Sequence, residues 1–254
     1  MARIFAITNQ KGGVGKTTTC VNLAASLVAM KRKVLLIDLD PQGNATMGSG
    51  VDKHNCEHSV CDLLLGEASL EQICIRTDPA GYDLLPANAE LTTAEVQLLQ
   101  QGDGGVSLKK ELAALKPQYD FILIDCPPSL NMLTVNALAA AQGVIIPVQC
   151  EYYALEGLSS LMETIQQIGG GINPELQVEG LLRTMYDPRN SLTRDVSAQL
   201  TEHFGDKVYS TVIPRNVRLA EAPSHGLPAL AYDEKSKGSL AYLALAGEVT
   251  RRNP

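Results

Sequence analysis

Eight consecutive residues, Lys11-Gly12-Gly13-Val14-Gly15-Lys16-Thr17-Thr18, put two lysines, three glycines and two threonines within reach of one point. An apolar run, Ile4-Phe5-Ala6-Ile7, precedes them, and a helical pattern from Thr17 to Met30 follows. Strand, glycine-rich turn and helix form the context in which backbone N–H groups converge on phosphate oxygens. The start of the helix adds partial positive charge at the same place. Lys16 is then placed for the β- and γ-phosphates and the Thr17 hydroxyl for Mg²⁺. One lysine serves such a site, so Lys11, which opens the loop, needs another partner. Two further segments carry carboxylates to strand ends. Val34-Leu35-Leu36-Ile37 runs into Asp38-Leu39-Asp40-Pro41-Gln42-Gly43-Asn44, and Asp120-Phe121-Ile122-Leu123-Ile124 runs into Asp125. Carboxylates there can hold a metal's waters or orient an attacking one, and an apolar strand ending in Asp is the Walker B arrangement, with Asp125 on a Mg²⁺-bound water.

The elements that must position these groups are legible in the apolar pattern. Arg3–Thr8 reads as a buried strand; its lack of alternation suits a parallel sheet covered on both faces. The helix after the loop buries Cys20, Leu23, Ala24, Leu27 and Val28, and Lys31-Arg32-Lys33 ends it. Ser59–Leu65 reads as a short helix with Ser59 as cap and Gly66 as stop. Tyr82–Leu85 is expected as a strand and Ala89–Gln100 as a helix. Gln101–Gly105 is expected as a flexible surface loop. Gly143–Gln149 and Val178–Met185 are further strands, Tyr153–Ile168 a helix ended by Gly169-Gly170-Gly171, and Ser239–Thr250 a last helix that packs onto the domain. The whole is expected to be a single domain over residues 1–254. Its fold class is α/β, a doubly wound, mostly parallel sheet with helices on both faces. Met185-Tyr186-Asp187 and Ile213-Pro214-Arg215-Asn216 fall at strand ends on the ligand side, placed to clasp a base.

Composition narrows the classes. The 254 residues are 45% hydrophobic but only 4% aromatic, which suits a core of Val, Leu, Ile and Ala. No window is long enough to span a bilayer and no signal peptide opens the chain. The six cysteines contain no C-x-x-C pair and read as reduced thiols of a cytosolic protein. His54 and His58 lie near Cys56 and Cys61, but the spacing matches no zinc pattern and reads as polar loop. Net charge is −7, which argues against an all-round nucleic-acid coat. From Arg183 to Pro254, however, ten Lys+Arg face eight Asp+Glu, a balance of +2, while residues 1–182 carry −9. A basic face in the last third is compatible with that split.

KGGVGKTT resembles the deviant Walker-A ATPases, a group that includes ParA/Soj partition proteins, MinD and the nitrogenase iron protein. DLDPQGN, IDCPPS, QCEYYALEG and IPRNVRLAEAPSHG follow in ParA/Soj order across nearly the whole chain. The resemblance implies an ATPase with ATP and Mg²⁺ as cofactors. It implies that Lys11 crosses a homodimer interface to the partner's nucleotide, beside Gly12, Gly13, Val14, Gly15, Lys16, Thr17 and Thr18. Asp40 is by that match the water-positioning residue, and Met185, Pro214 and Asn216 are adenine contacts. Arg189 and Arg218 match positions of DNA-contacting arginines; Arg215 either joins them or serves the nucleotide. QCEYYALEG lies near the family's dimer interface. The two cluster cysteines of the iron protein have surroundings not found here, so Cys126 reads as an inert thiol. The chain starts at its first strand, like the short chromosome-type Soj form, and lacks the basic terminal helix of MinD. The implied function is an ATP-dependent dimer on nonspecific double-stranded DNA, in the cytoplasm on the nucleoid. A ParB-type protein stimulates hydrolysis, and the cycle segregates an origin or plasmid. The alternatives are a MinD-like membrane-associated division-site regulator, an ATP-using biosynthetic enzyme, and a ParA-like positioner of another cargo.

Overall fold

In the computed structural model, which describes residues 2–113 and 118–253, the chain alternates strands and helices from its first residues. Strand β1 (Arg3–Ile7) leads through the glycine loop into helix α1 (Lys16–Ala29), and β2 (Val34–Asp38) into a short α2 (Asn44–Gly48). Helices α3 (Val60–Leu65) and α4 (Leu70–Ile73) follow, then strands β3 (Ile75–Arg76) and β4 (Asp83–Leu85) and helices α5 (Leu91–Gln100) and α6 (Ser107–Leu112). The chain continues through β5 (Phe121–Asp125), α7 (Met132–Ala140), β6 (Gly143–Gln149) and α8 (Ala154–Gly170). The last third holds β7 (Gln177–Tyr186), α9 (Ser191–Phe204), β8 (Val208–Pro214), α10 (Val217–Glu221), α11 (Ala229–Tyr232) and α12 (Lys237–Arg252).

The strands form one eight-stranded sheet in the order β3-β4-β2-β5-β1-β6-β7-β8. Every pairing is parallel except β3 with β4, an antiparallel edge. Because β2 and β5 are almost wholly buried, their side chains need no alternation; VLLID and FILID pack on both sides. One core cluster joins α3, α5, α6, α7, α8 and α9 to one face. The other joins α1, α10 and α12 to the opposite face around Phe5, Leu36 and Leu123. The expected doubly wound α/β sheet is therefore present. The chain leaves β1 for strands on one side and later returns to build β6, β7 and β8 on the other, so a switch point lies at the carboxyl end of β1.

Several expectations need correction. The 101–105 segment is an exposed turn at Gln101–Asp103, as a surface loop would be, but its end is anchored: it enters a 3-10 turn at Gly104–Val106, and Gly104 is buried. A Cβ at Gly104 would lie 2.1 Å from the Leu98 carbonyl oxygen, so close backbone packing demands glycine there. Helix α8 runs through Gly169 and Gly170 and stops at Gly171, because its buried face (Leu158, Leu161, Ile165, Ile168) outweighs the low helix propensity of glycine. The final helix is longer than its apolar pattern, beginning at Lys237 behind a Ser236 cap. It packs through Tyr242, Leu245, Ala246 and Val249, while Leu240 points to solvent. Among the described residues no His, Cys, Asp and Glu group could hold a metal by itself. His54 and Cys56 lie in the turn segment before α3, whereas Ser59 caps that helix and Cys61 is buried in its first turn, so the segment is not all polar loop. All six cysteines are free. No described helix is long and apolar enough to cross a membrane.

Candidate functional site

Parallel strands deliver their carboxyl ends to one edge, and the candidate segments begin there. The glycine loop follows β1, Asp38–Asn44 follows β2, Asp125 ends β5, Glu151 follows β6, Met185 lies in the last turn of β7, and Pro214 ends β8. Register sets their heights: Ile7 and Asp38 both stand opposite Asp125.

The loop itself is held rather than free. Gly13 and Gly15 take φ of 75° and 90°, the left-handed region that glycine enters at no steric cost. The Asn9 amide donates to the Pro147 carbonyl at 2.8 Å, tying the loop's start to β6. The Thr184 hydroxyl donates to the Val14 carbonyl at 2.8 Å, tying its middle to β7. Lys16 is buried and folds back to the Lys11 carbonyl at 3.4 Å. A Cβ on Gly12 or Gly13 would meet no atom within 4 Å beyond its chain neighbours, so the loop borders open space. That space is lined by Gly12, Gly13, Lys16, Thr17, Asp40 and Gln42, with Pro128 and Met185 at its margin.

The two carboxylates of DLDPQGN separate into different jobs. Asp38 is fully buried and accepts from the Thr46 N–H and hydroxyl, both at 2.8 Å, and from the Asp40 N–H at 3.1 Å. It is the peg that folds the loop. Asp40 lines the cleft instead, its Oδ1 accepting the Gln42 N–H at 3.0 Å. Nothing in the local spacing separates these two aspartates; the inward turn of Thr46 does. Asp125 is fully buried, with Oδ1 accepting from the Cys20 thiol at 3.4 Å and Oδ2 making no hydrogen bond of ordinary geometry, although the Thr17 side chain is near enough to favour its charged form. Burial first, then the neighbouring Asp38 charge, push the Asp125 carboxyl well above its ordinary range. Burial, with Asp125 beside it, pushes the Cys20 thiol up as well, so it stays a protonated donor. Burial likewise raises Cys126, in keeping with an inert thiol.

An unpartnered buried carboxylate oxygen, a threonine hydroxyl at a helix start and a lysine ammonium make one donor set. The hydroxyl and the carboxylate would hold a hydrated divalent cation and the ammonium would hold a polyphosphate, the cation supplying charge neutralisation there. A cost follows for the ligand-free protein. Burial and Asp38 raise the Asp125 carboxyl to about 8, so at neutral pH the fold must keep protonated a group that ionises freely when unfolded. Asp125→Asn removes that cost, and relief of about 1–2 kcal/mol corresponds to a rise of about 2–4 °C per kcal/mol. Thermal denaturation of the ligand-free variant should show that rise, while the Mg²⁺ dependence of nucleotide binding weakens. A lower unfolding temperature would mean that the carboxylate is satisfied in the fold.

A second cleft of about 170 Å³ adjoins the first, lined by Gly15, Thr18, Met185, Pro214, Asn216 and Tyr242 among others. Met185, Pro214 and Asn216 thus come together with the glycine loop. Met185 takes φ of 49°, a conformation costly for a side chain this long, and its side chain borders both clefts. Asn216 spends its Oδ1 on the Arg218 N–H at 3.0 Å, capping α10, which leaves its amide N–H₂ for a ligand. Tyr242 was not foreseen as a lining residue. It hydrogen-bonds Thr19 at 3.1 Å and forms the floor, a role visible only once α12 packs on α1.

The structure does not gather Arg189, Arg215 and Arg218 into one unpaired patch. Arg189 is 89% exposed but holds Asp187 through Nε at 2.9 Å and Nη2 at 2.8 Å. Arg218 pairs with Glu221 at 2.8 Å and Asp233 at 3.2 Å. Arg215 lines the second cleft. Lys11 reaches neither cleft: its Nζ lies 2.6 Å from Glu151 Oε2 across the mouth of the loop.

The fold and this edge define a P-loop nucleotide-binding protein of the MinD/ParA kind. A family model described as an AAA domain matches residues 2–178. The sporulation initiation inhibitor protein Soj of Bacillus subtilis is 52% identical over 249 residues, covering 98% of each chain. Chromosome partitioning protein ParA of Caulobacter vibrioides is 50% identical over 252 residues, 98% of this chain and 94% of that one. Among solved structures, cobyrinic acid a,c-diamide synthase from Mycobacterium smegmatis with bound ATP analog and magnesium superposes with a TM-score of 0.87. It is 39% identical, and the match covers 99% of this chain and 95% of that one. The chain belongs to the ParA/Soj family of chromosome-partitioning ATPases.

Proposed function

We propose that the protein is a partitioning ATPase whose Mg-ATP-bound form dimerises, binds DNA without sequence preference and is released by hydrolysis. The observation that carries the reading is the shared edge: the glycine loop, Lys16, Thr17 and Asp40 line one cleft, a base-sized cleft lies beside it, and the buried Asp125 ends the neighbouring strand with one oxygen unbonded. Bound Mg²⁺ supplies charge neutralisation of the β- and γ-phosphates. Lys16 and the loop N–H groups hold the polyphosphate, Thr17 faces the metal, and Asp125 holds one of its waters. Asp40, alone among the three aspartates in having a cleft-facing position, orients the attacking water. Met185, Pro214 and Asn216 clasp adenine. Lys11 acts on the partner's nucleotide in a sandwich dimer. A ParB-type protein is the expected stimulator, and chromosome origin, plasmid or another cargo depends on that partner.

The synthase among the structural relatives keeps a biosynthetic reading in view. The full-length relatives with partition names are more similar in sequence. ATP turnover in the absence of any added metabolite supports the partition reading; strict dependence on an acid substrate would favour the other. Liposome sedimentation tests the membrane-associated alternative.

DNA binding is assigned to the last third of the chain, through Arg189 and Arg218, with Arg215 left to the nucleotide by its place in the cleft. Both DNA arginines are paired with carboxylates on their own chain, so phosphate has to displace Asp187 or Glu221, and one copy should bind weakly. A dimer doubles the surface and gains avidity. Retention on random duplex should fall steeply with salt, by about 0.9 in log–log slope per phosphate neutralised. Arg189→Glu and Arg218→Glu should each lower that slope and leave ATP-dependent dimerisation intact. Asp187→Asn should do the reverse and strengthen retention. Equal retention with ATP and ADP, or wild-type retention by the double reversal, would move the DNA surface elsewhere.

A further inference from the structure

The Asp40 loop is held from outside the cleft by a residue that no motif marks. Lys53 Nζ donates to the Gln42 carbonyl at 2.5 Å. The Gln42 N–H in turn donates to Asp40 Oδ1 at 3.0 Å. Gln42 is therefore gripped at both ends, by an ammonium behind the loop and by the Asp40 carboxylate facing the cleft. The lysine stem completes the bracket. Gly43 has φ of 60°, and a Cβ on it would lie 2.7 Å from Lys53 Cδ and 2.9 Å from the Ala87 carbonyl oxygen. The loop passes between these two walls with no room for a side chain.

Lys53 can act as a fixed bracket because its own turn is fixed. Asp52 Oδ1 accepts the His54 N–H at 3.0 Å and Oδ2 accepts the Asn55 side-chain amide at 2.6 Å. The Val51 N–H donates to the Thr46 carbonyl at 3.2 Å. Gly50 is pressed against Gly226, where a Cβ would come within 2.9 Å of the Gly226 carbonyl oxygen. A long flexible side chain with an anchored base, a packed stem and a charge-assisted bond at its tip loses most of its rotamers.

We propose that Lys53 is a positioning residue for hydrolysis: by gripping the Gln42 carbonyl it fixes the loop geometry that aims Asp40 at the attacking water. The inference rests on the water-orienting reading of Asp40. Lys53 touches neither nucleotide cleft, so its effect is confined to the rate of the step that Asp40 serves. Removing the bracket leaves Asp40 in place on average but lets its carboxylate wander, and small misplacements of a catalytic group are costly.

The test measures single-turnover ATP hydrolysis and, separately, binding of a fluorescent ATP analogue. It uses Lys53→Met and Lys53→Arg, each alone and combined with Asp40→Ala. Lys53→Met is expected to slow hydrolysis roughly fivefold to tenfold while changing ATP affinity less than about twofold. Lys53→Arg, which restores a cationic donor, should recover most of the rate. In the Asp40→Ala background Lys53→Met should add no further loss, the mark of residues acting as one unit. Unchanged hydrolysis in Lys53→Met, the same loss in both backgrounds, or a fall in affinity matching the fall in rate would each overturn the proposal. The Asp40→Ala variant alone reports on the underlying reading. If it hydrolyses ATP normally, both assignments fall; if it is inactive and Lys53→Met is normal, only this one does.

Discussion

Replacing Asp40 with alanine should cut ATP hydrolysis by about 10²–10³-fold, the usual loss when a group that acts only in the transition state is removed. ATP affinity should stay within a few-fold, because the one side-chain bond Asp40 makes is to the Gln42 N–H, while the buried anchorage of the loop belongs to Asp38. The structure makes that separation physical. Asp38 is the fully buried peg on Thr46 and the Asp40 N–H, whereas Asp40 borders the open cleft and makes one side-chain bond, to the Gln42 N–H. Asp38→Ala should therefore behave differently: it orphans two backbone N–H groups and the Thr46 hydroxyl and should lower the unfolding temperature. With hydrolysis blocked and binding kept, ATP should trap the Asp40→Ala dimer. The measurement is multiple-turnover phosphate release beside equilibrium ATP binding. Wild-type turnover by Asp40→Ala would remove Asp40 from the reaction.

Lys11→Ala should leave a monomer that still binds ATP. Two triphosphates facing each other across a dimer repel, and a lysine from each side offsets that repulsion. Losing two charge-assisted contacts of about 1.5–3 kcal/mol each weakens dimerisation roughly 10²–10⁴-fold. The geometry supports a role outside the chain's own nucleotide site. Lys16 already occupies the loop, and Lys11 points across its mouth to Glu151, with both side chains nearly half exposed, 44% and 46%. An exposed pair of this kind contributes under about 1 kcal/mol, so releasing Lys11 to a partner's phosphate costs little. Light scattering with ATP reads the outcome. Normal ATP-dependent dimers of Lys11→Ala would return the lysine to its own site, and Lys16→Ala, which loses nucleotide binding itself, separates the two effects.

What the amino-acid sequence determined by itself was the inventory and its order. A strand, a glycine loop and a helix follow from apolar runs and from glycines at the two positions that take positive φ, Gly13 and Gly15. The buried parallel sheet was readable because runs such as VLLID and FILID lack alternation, and Asp125 and Asp40 were readable because each follows such a run. These are local signals, carried by neighbours in the chain. Other features depend on which remote segments meet, and no local pattern encodes that. The inward Asp38 is told from Asp40 only by Thr46 folding back onto it. The anchoring of Gly104, at the end of an exposed turn, comes from its lying against the Leu98 carbonyl. The floor of the second cleft is Tyr242, 223 residues from its partner Thr19, and exists only because α12 packs on α1. Arg189 and Arg218 look like free cations in the sequence and are paired in the fold, since a turn brings Asp187 and a helix face brings Glu221 to them. Lys53 is one surface lysine among many until its stem is found across Gly43. The chain's own order named the chemistry; the parallel sheet, by collecting strand ends on one edge, decided which residues could share it.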